Sequence, residues 1–506
     1  MEFLSLELYT SGLHFFTDPM TYLVLFAGVF IGILFGAMPG LTSTMTLAVF
    51  VPFTFGMNIA LAFSFLLGLY KGAVYGGSIS AILINVPGTP SSIATGLDGF
   101  ILSQKGEAGK AIGIATIAST IGGLFSIFVL AVFAPMVASF ALDFSAQEFV
   151  GIALLGLSII AFISPGNTTK GLIAGVLGLM IGIVGVDNIT AYPRYLFGQT
   201  DLIEGFNIVP VMIGVYGLTE MFTQIMEKGT TQPVIQRISG VLPKFSEVVR
   251  LWPTYIRCSI IGVFVGAIPA AGGSIASLVA YGQEKRLSSR GKEMGTGSFQ
   301  GVAAPEAANN ASTGGALIPM LTLGIPGDPM TAVLMGALII QGLRPGPLLF
   351  TNQMPFVSSI FISAAIAVIF MLVIGLIGAK YFARLITIPQ EYLIPLVLIF
   401  CLVGTYGMRR SIFDLFVCIA FGLIGFLLRR TGFSPAPLVL GLILGPIFED
   451  NLRRAMILSR GDWSTFVTRP ISLTLLIITV VVLFGPGLVN LIKEKFNNKP
   501  SGEVGT

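Results

Sequence analysis

The chain has 506 residues, of which 54% are hydrophobic and only 10% charged, with a mean hydropathy of +0.90. Soluble domains carry about 25% charged residues, so a water-soluble globular protein is excluded. A net charge of +4 with basic residues scattered in loops points to no nucleic acid, and one histidine and three cysteines give no basis for His-based catalysis, haem or a metal site.

Apolar runs that reach the roughly 20 residues needed to span a bilayer recur along the chain. They include Met20 to Ala37, Ala111 to Leu142, Phe206 to Met226, Pro355 to Ala379, Ser411 to Leu428 and Ile471 to Ile492. No basic residue precedes Lys71, so a cleaved secretory signal is not expected. The acidic start, with Glu2, Glu7 and Asp18, faces outward by the positive-inside rule.

The first run ends in Gly36-Ala37-Met38-Pro39-Gly40, followed by Thr42, Ser43 and Thr44. A Pro-Gly break there opens a half-helix whose free N–H groups and positive dipole end suit an anion. Whether Met20 to Phe55 is one broken span or a re-entrant pair stays open. Next, Tyr75-Gly76-Gly77 leads through an uncharged apolar stretch to Asn85-Val86-Pro87-Gly88-Thr89-Pro90-Ser91-Ser92. That pattern predicts a helical hairpin dipping part-way into the membrane, its tip exposing backbone groups that need partners. Lys71, just before it, either pairs with a carboxylate substrate or snorkels to the interface.

The same signals return in the same order. Ile31 to Gly40 matches Ile261 to Ala270 at an offset of 230, Gly76-Gly77 matches Gly314-Gly315 at 238, and Pro87-Gly88-Thr89-Pro90 matches Pro326-Gly327-Asp328-Pro329 at 239. Gln147-Glu148-Phe149 matches Gln390-Glu391-Tyr392 at 243, and Val209-Pro210 matches Ala436-Pro437 at 227. The fall at the last match predicts extra residues in a loop from Asp187 to Glu204. Gly272-Gly273-Ser274 opens the second half-helix, as Thr42 to Thr44 open the first. Gly32/Gly36 and Gly262/Gly266 also have the spacing of close helix packing.

The second half adds an Asn-rich stretch, Pro305-Glu306 through Asn309, Asn310, Ser312 and Thr313, with Asp328 in its Pro-Gly turn. Asn, Ser and Thr oxygens with unwound carbonyls suit sodium, while Glu306 or Asp328 could carry a proton. An unpaired carboxylate at bilayer depth costs about 2.5–3.5 kcal/mol on insertion scales and therefore implies a role. The segment before the second half, Glu227 to Arg257, is basic, the opposite of the acidic start, which argues that the two halves enter the membrane from opposite sides.

The expected organisation is a first repeat over 15–228, a basic cytoplasmic linker over 229–253, a second repeat over 254–469, a terminal transmembrane helix over 470–492 and a cytoplasmic tail over 493–506. The expected fold is an all-α polytopic membrane protein of about 11–12 spans, with two inverted repeats carrying broken helices and re-entrant hairpins.

The runs GAMPGLTSTMTLAVFVPFTFG, YGGSISAILINVPGTPSSIATGLDG, GVAAPEAANNASTGGALIPMLTLGIPGDP and TAVLMGALIIQGLRPGPLLF resemble the large membrane subunit of the tripartite tricarboxylate transporters. The resemblance covers about Asp18 to Ile492. It implies a translocating subunit in a bacterial inner membrane, working with a small four-helix membrane subunit and a periplasmic solute-binding protein. Transport would be secondary symport of citrate or another small organic anion with Na+ or H+, without other cofactors, and no Walker-type sequence contradicts that. An elevator motion follows by analogy only.

On this reading the N-terminus is periplasmic and the C-terminus cytoplasmic. The expected substrate site comprises Ser43, Thr44, Asn85, Thr89, Ser91, Gly273, Ser274 and Gly327. The expected coupling-ion site comprises Asn309, Asn310, Thr313 and Asp328. The alternatives are a passive anion channel and an intramembrane enzyme that pairs Glu306 with Asp328 as acid and base.

Overall fold

The computed structural model describes residues 6–163, 168–187, 189–226, 238, 240–269, 271–386 and 388–497. Helices follow one another as α1 (Leu6–Thr10), α2 (Pro19–Ala37), α3 (Ser43–Phe50), α4 (Ile59–Ile84), α5 (Ile93–Gln104), α6 (Ala108–Ala141), α7 (Ala146–Ile163) and α8 (Thr168–Gly182). A short antiparallel pair, β1 (Gly185–Val186) and β2 (Pro193–Arg194), precedes α9 (Ile208–Met212), a π-helical turn over Ile213–Leu218, and α10 (Thr219–Met226). Then come α11 (Phe245–Arg250), α12 (Trp252–Ala267), α13 (Gly272–Leu287), α14 (Phe299–Leu323), α15 (Pro329–Ile340), α16 (Leu348–Asn352) and α17 (Met354–Leu385). The chain closes with α18 (Gln390–Arg409), α19 (Ile412–Arg430), α20 (Ala436–Leu458), α21 (Thr465–Thr468) and α22 (Pro470–Asn497).

The protein is thus an all-α polytopic membrane protein. Among the described residues seven helices are long and apolar enough to cross a bilayer, and five shorter apolar helices accompany them. Each apolar run expected to span is helical. The stretch Met20 to Phe55 is two helices, α2 and α3, separated at Met38 to Thr42. Residues 229–237 and 239 of the basic linker lie outside the described residues, as does the tail beyond 497.

The chain forms two compact units, Met1–Asp143 with Phe206–Thr431, and Phe144–Gly205 with Gly432–Thr506. In the first unit the order of elements runs twice. A helix ends at a break (α2, α12), a half-helix follows (α3, α13), then a long helix (α4, α14), a Pro-Gly turn, a 12-residue helix (α5, α15) and another long helix (α6, α17).

Small residues hold these helices at backbone contact. Gly28, Gly32 and Gly36 of α2 face Phe65, Leu69 and Ala73 of α4, while Gly68, Gly72 and Gly76 of α4 face back toward Leu25, Val29 and Ile33. A methyl group on any of them would overlap a carbonyl oxygen of the partner helix. The second pair repeats the device, with Gly262 and Gly266 of α12 against Ala308 and Ser312 of α14. The GxxxG spacings therefore serve packing, as van der Waals contact is what drives helix association where lipid is as apolar as leucine.

The second unit packs α8 on α20, with Gly178 against the Leu438 carbonyl and Gly441 against that of Gly175. The loop between Asp187 and Glu204 holds β2, which pairs with β1 just before it. It is pinned by Asp187, which accepts N–H groups of Ile189 and Thr190 at 2.8 Å and pairs with Arg453, and by Arg194, 2.5 Å from Glu449. Arg469 likewise reaches the buried Glu148 at 2.6 Å.

Candidate functional site at two Pro-Gly turns

The site lies wholly within the first unit. Helix α4 ends at Asn85 and α14 at Gly324, both left-handed, with φ of 57° and 69°. Each cap comes just before a Pro-Gly turn, and Asn and Gly are the residues that tolerate this conformation. Asn85 is accordingly exposed at a helix end and does not join the buried cluster described below.

Beyond the caps, each turn seats on the break of its own half. A Cβ on Gly88 would run into the Gly36 carbonyl, and one on Gly327 would lie 2.8 Å from the Gly266 carbonyl. Both glycines are needed for that approach. The first arm of each hairpin is a full-length helix of 26 or 25 residues, and only the return arm is short. A pair of short arms dipping part-way in is therefore not what forms.

The return helices start differently. In the first, Thr89 bonds Ser91 at 3.0 Å and Ser92 at 2.6 Å. In the second, Asp328 is the N-cap of α15: its Oδ1 accepts the Thr331 N–H at 2.7 Å and the Thr331 hydroxyl at 2.8 Å. Pro329 at the first helical position completes a standard start. The other oxygen, Oδ2, accepts the Tyr70 hydroxyl from α4 at 3.1 Å.

The Asn-rich stretch is not unwound. Helix α14 runs unbroken through Pro305 and Pro319, so the carbonyls of residues 306–313 stay within a continuous helix and are not unwound as the sequence suggested. Thr313 donates to the Asn310 carbonyl at 2.6 Å and Ser312 to that of Asn309 at 2.7 Å. The Asn309 amide reaches Val74 O at 3.4 Å, the Asn310 amide reaches Glu306 O at 3.3 Å, and Asn310 Oδ1 is buried with no partner. The Lys71 ammonium donates to Thr313 Oγ1.

The second half-helix aims at this group. Helix α13 has no side-chain N-cap, so its first-turn N–H groups have no side-chain acceptor. A Cβ on Gly273 would press on Asn309 Oδ1 and lie 3.4 Å from Ser91 Cβ, and one on Gly272 would lie 3.3 Å from Asp328 Cβ. Ser91, Gly273, Asn309 and Asp328 thus converge from both halves, with Thr313, Asn310 and Lys71 on the adjoining turns.

The first half-helix contributes less. Thr42 caps α3 through Met45 N at 3.2 Å, Ser43 spends its hydroxyl on Ala73 O at 3.1 Å, and Thr44 is half-buried. Ser274 is half-buried one residue beyond Gly273.

Glu306 and Asp328 do not form an acid–base pair. Both oxygens of Glu306 are held elsewhere, by Thr95 of α5 at 2.6 Å and Ser119 of α6 at 2.8 Å. Helix α5 is itself anchored by buried Asp98, which accepts N–H groups of Gly295, Gly297 and Ser298 and the Tyr281 hydroxyl, all at 2.8–2.9 Å. Sequence reading missed Tyr70, Thr95, Ser119 and Asp98. A hydroxyl on an apolar helix gives no signal, whereas Lys71 stood out by its charge.

A separate cleft of about 760 Å3 opens elsewhere in the unit, lined by Arg250, Arg257, Ser288, Arg290 and Gln300. Its basic residues are partly balanced by acids. Arg257 is already committed to Glu284 at 2.6 Å, and Glu247 and Glu293 share the lining.

The profile of the Tripartite tricarboxylate transporter TctA family matches residues 22–440. The chain belongs to that family. It is therefore a transporter subunit of the TctA family and a multi-pass membrane protein, and the residues assembled above lie inside the matched range. It is also 39% identical over 458 residues, 90% of its own length and 91% of the relative's, to an "Uncharacterized 52.8 kDa protein in TAR-I ttuC' 3'region" of Agrobacterium vitis. A second relative from that organism, an "Uncharacterized protein in TAR-II ttuC' 3'region", is 42% identical over 215 residues, 42% of this chain and 89% of the relative. No solved structure matches the chain significantly.

Proposed function

We propose that this TctA-family chain is the large translocating subunit of a secondary transporter that imports a small carboxylate, such as citrate, with Na+ or H+. It acts in a bacterial inner membrane with a small four-helix subunit and a periplasmic solute-binding protein. Its N-terminus is periplasmic and its C-terminus cytoplasmic. The observation that carries the reading is the convergence of the two Pro-Gly turns with the uncapped start of α13 around Ser91, Asn309 and Asp328. Broken helices whose N-terminal ends face a polar cluster are how transporters meet anions and ions inside the bilayer.

The substrate lies between the two turns. The coupling cation is held by oxygens of Asn309, Asn310, Thr313 and Asp328, and the orphan Asn310 Oδ1 supports that assignment. The recurring order of elements and the opposite charge bias before each half support an inverted duplication. On it, the part carrying the turns moves against a scaffold in an elevator-like step.

The test is uptake of radiolabelled citrate and other small carboxylates into proteoliposomes holding both membrane subunits, with the binding protein outside. Uptake should need the binding protein and a Na+ or H+ gradient. Uptake that persists after both gradients are collapsed would refute secondary transport, and ohmic current without the binding protein would favour a channel.

A further inference from the structure

Among the described residues, Lys71 is the only buried Lys or Arg, and it sits in the middle of α4. No carboxylate lies within ion-pair distance of its ammonium there. Several other buried charges are matched. Glu148 has Arg469, Asp187 has Arg453, Glu220 has Arg429, Glu284 has Arg257, and Asp98 has its backbone amides. Asp328 acts on Lys71 as a charge at longer range, but its oxygens accept from Thr331 and Tyr70 and those of Glu306 from Thr95 and Ser119, so neither carboxylate touches the ammonium.

An ammonium has three donors, and here one is used, on Thr313 Oγ1. A buried ammonium with no carboxylate in contact and two donors unused is costly, and an anion brought to it would supply both the charge and the acceptors. Thr313 is also one turn from Asn310, whose Oδ1 is buried without a partner. The ammonium therefore occupies one side-chain oxygen of this helical turn while another is unfilled.

We infer that Lys71 couples the substrate anion to sodium: it holds Thr313 in the empty carrier and is drawn away by the substrate carboxylate, freeing Thr313 Oγ1 and Asn310 Oδ1 for Na+. This rests on the carboxylate-transport reading and goes beyond it by naming the ion and the residue that links it to the substrate. Two cations on one buried hydroxyl repel each other strongly, so Lys71 on Thr313 disfavours Na+ there. Once a carboxylate neutralises Lys71, both bind. The two ligands then raise each other's affinity by the same factor.

The experiment measures binding of radiolabelled Na+ and of citrate to the chain with its small subunit in nanodiscs, and uptake by the full three-part system, for wild type, Lys71→Met and Lys71→Arg. Wild type should bind Na+ about 10-fold or more tighter with citrate present. Lys71→Met should bind Na+ equally with or without citrate, bind citrate about 100-fold more weakly, and melt higher than wild type without ligand. A lysine kept for packing would melt lower when replaced. Lys71→Arg should retain part of the cooperativity. Wild-type citrate affinity and cooperativity in Lys71→Met would overturn the inference, as would sodium-independent uptake by wild type, while leaving carboxylate transport intact. No carboxylate uptake by wild type would instead sink the underlying function.

Discussion

Asp98 offers a sharp test of how the first hairpin is held. Its carboxylate is buried without a cation, and its charge is met by the amides of Gly295, Gly297 and Ser298 and by the Tyr281 hydroxyl. Gly295 and Gly297 have φ of 95° and 93°, a left-handed geometry that curls successive N–H groups toward one anion. In Asp98→Asn one oxygen becomes an NH2, and the three amide bonds change from charge-assisted to neutral. Each loses about 0.5–1.5 kcal/mol, and the sum is about 2–4 kcal/mol against loop opening. That is roughly a 30- to 1,000-fold rise in the open population of residues 295–298. Hydrogen exchange of peptides covering that loop, measured in nanodiscs, reads the change directly. Tyr281→Phe removes one bond only and should cost about 1 kcal/mol. Exchange in Asp98→Asn within threefold of wild type would refute the claim that backbone amides are what hold this charge.

Three further outcomes follow from the same structure. Gly72→Leu places a side chain against the Val29 carbonyl of α2 and should destabilise the first unit, seen as a lower melting temperature, whereas exposed Gly282→Ala, within α13 and facing open space, should not lower it. Thr42→Ala removes the cap on Met45 N and should cost about 1 kcal/mol, measured by thermal unfolding in nanodiscs. The Asp187 carboxyl is held below the usual carboxylate range, first by the Thr190 N–H, then by that of Ile189, the Thr190 side chain and Arg453, against an opposing burial effect. A lowered value means that its stabilisation is complete above about pH 4 and fades as pH falls further. Exchange in the β1–β2 loop should therefore rise on acidification below that point, and Asp187→Asn should abolish the dependence.

Much of the fold was legible because lipid allows few solutions. Long apolar runs must be helices, and Pro and Gly in them must mark breaks. The break after Ala37, the turns at Pro87 and Pro326, and the Asp328-Pro329 helix start were all readable from local chemistry. Tertiary partners were not. Nothing in the spacing tells that Tyr70 reaches Asp328, that Thr95 and Ser119 share Glu306, or that Asp98 binds a loop 200 residues away. Asn85 looked like a ligand because its polarity shows in sequence while its left-handed φ does not. Helix α14 stays whole through two prolines while packed against α6, α12 and α13, neighbours that the sequence does not reveal.

The account stands on the two turns forming the substrate site, and a cryo-EM structure of the complex with citrate tests that most directly. It predicts citrate density bounded by Ser91, Gly273, Asn309 and Asp328, with Lys71 moved from Thr313 toward a carboxylate. Citrate held instead in the cleft of Arg250, Arg257 and Arg290, with the two turns unchanged, would contradict it.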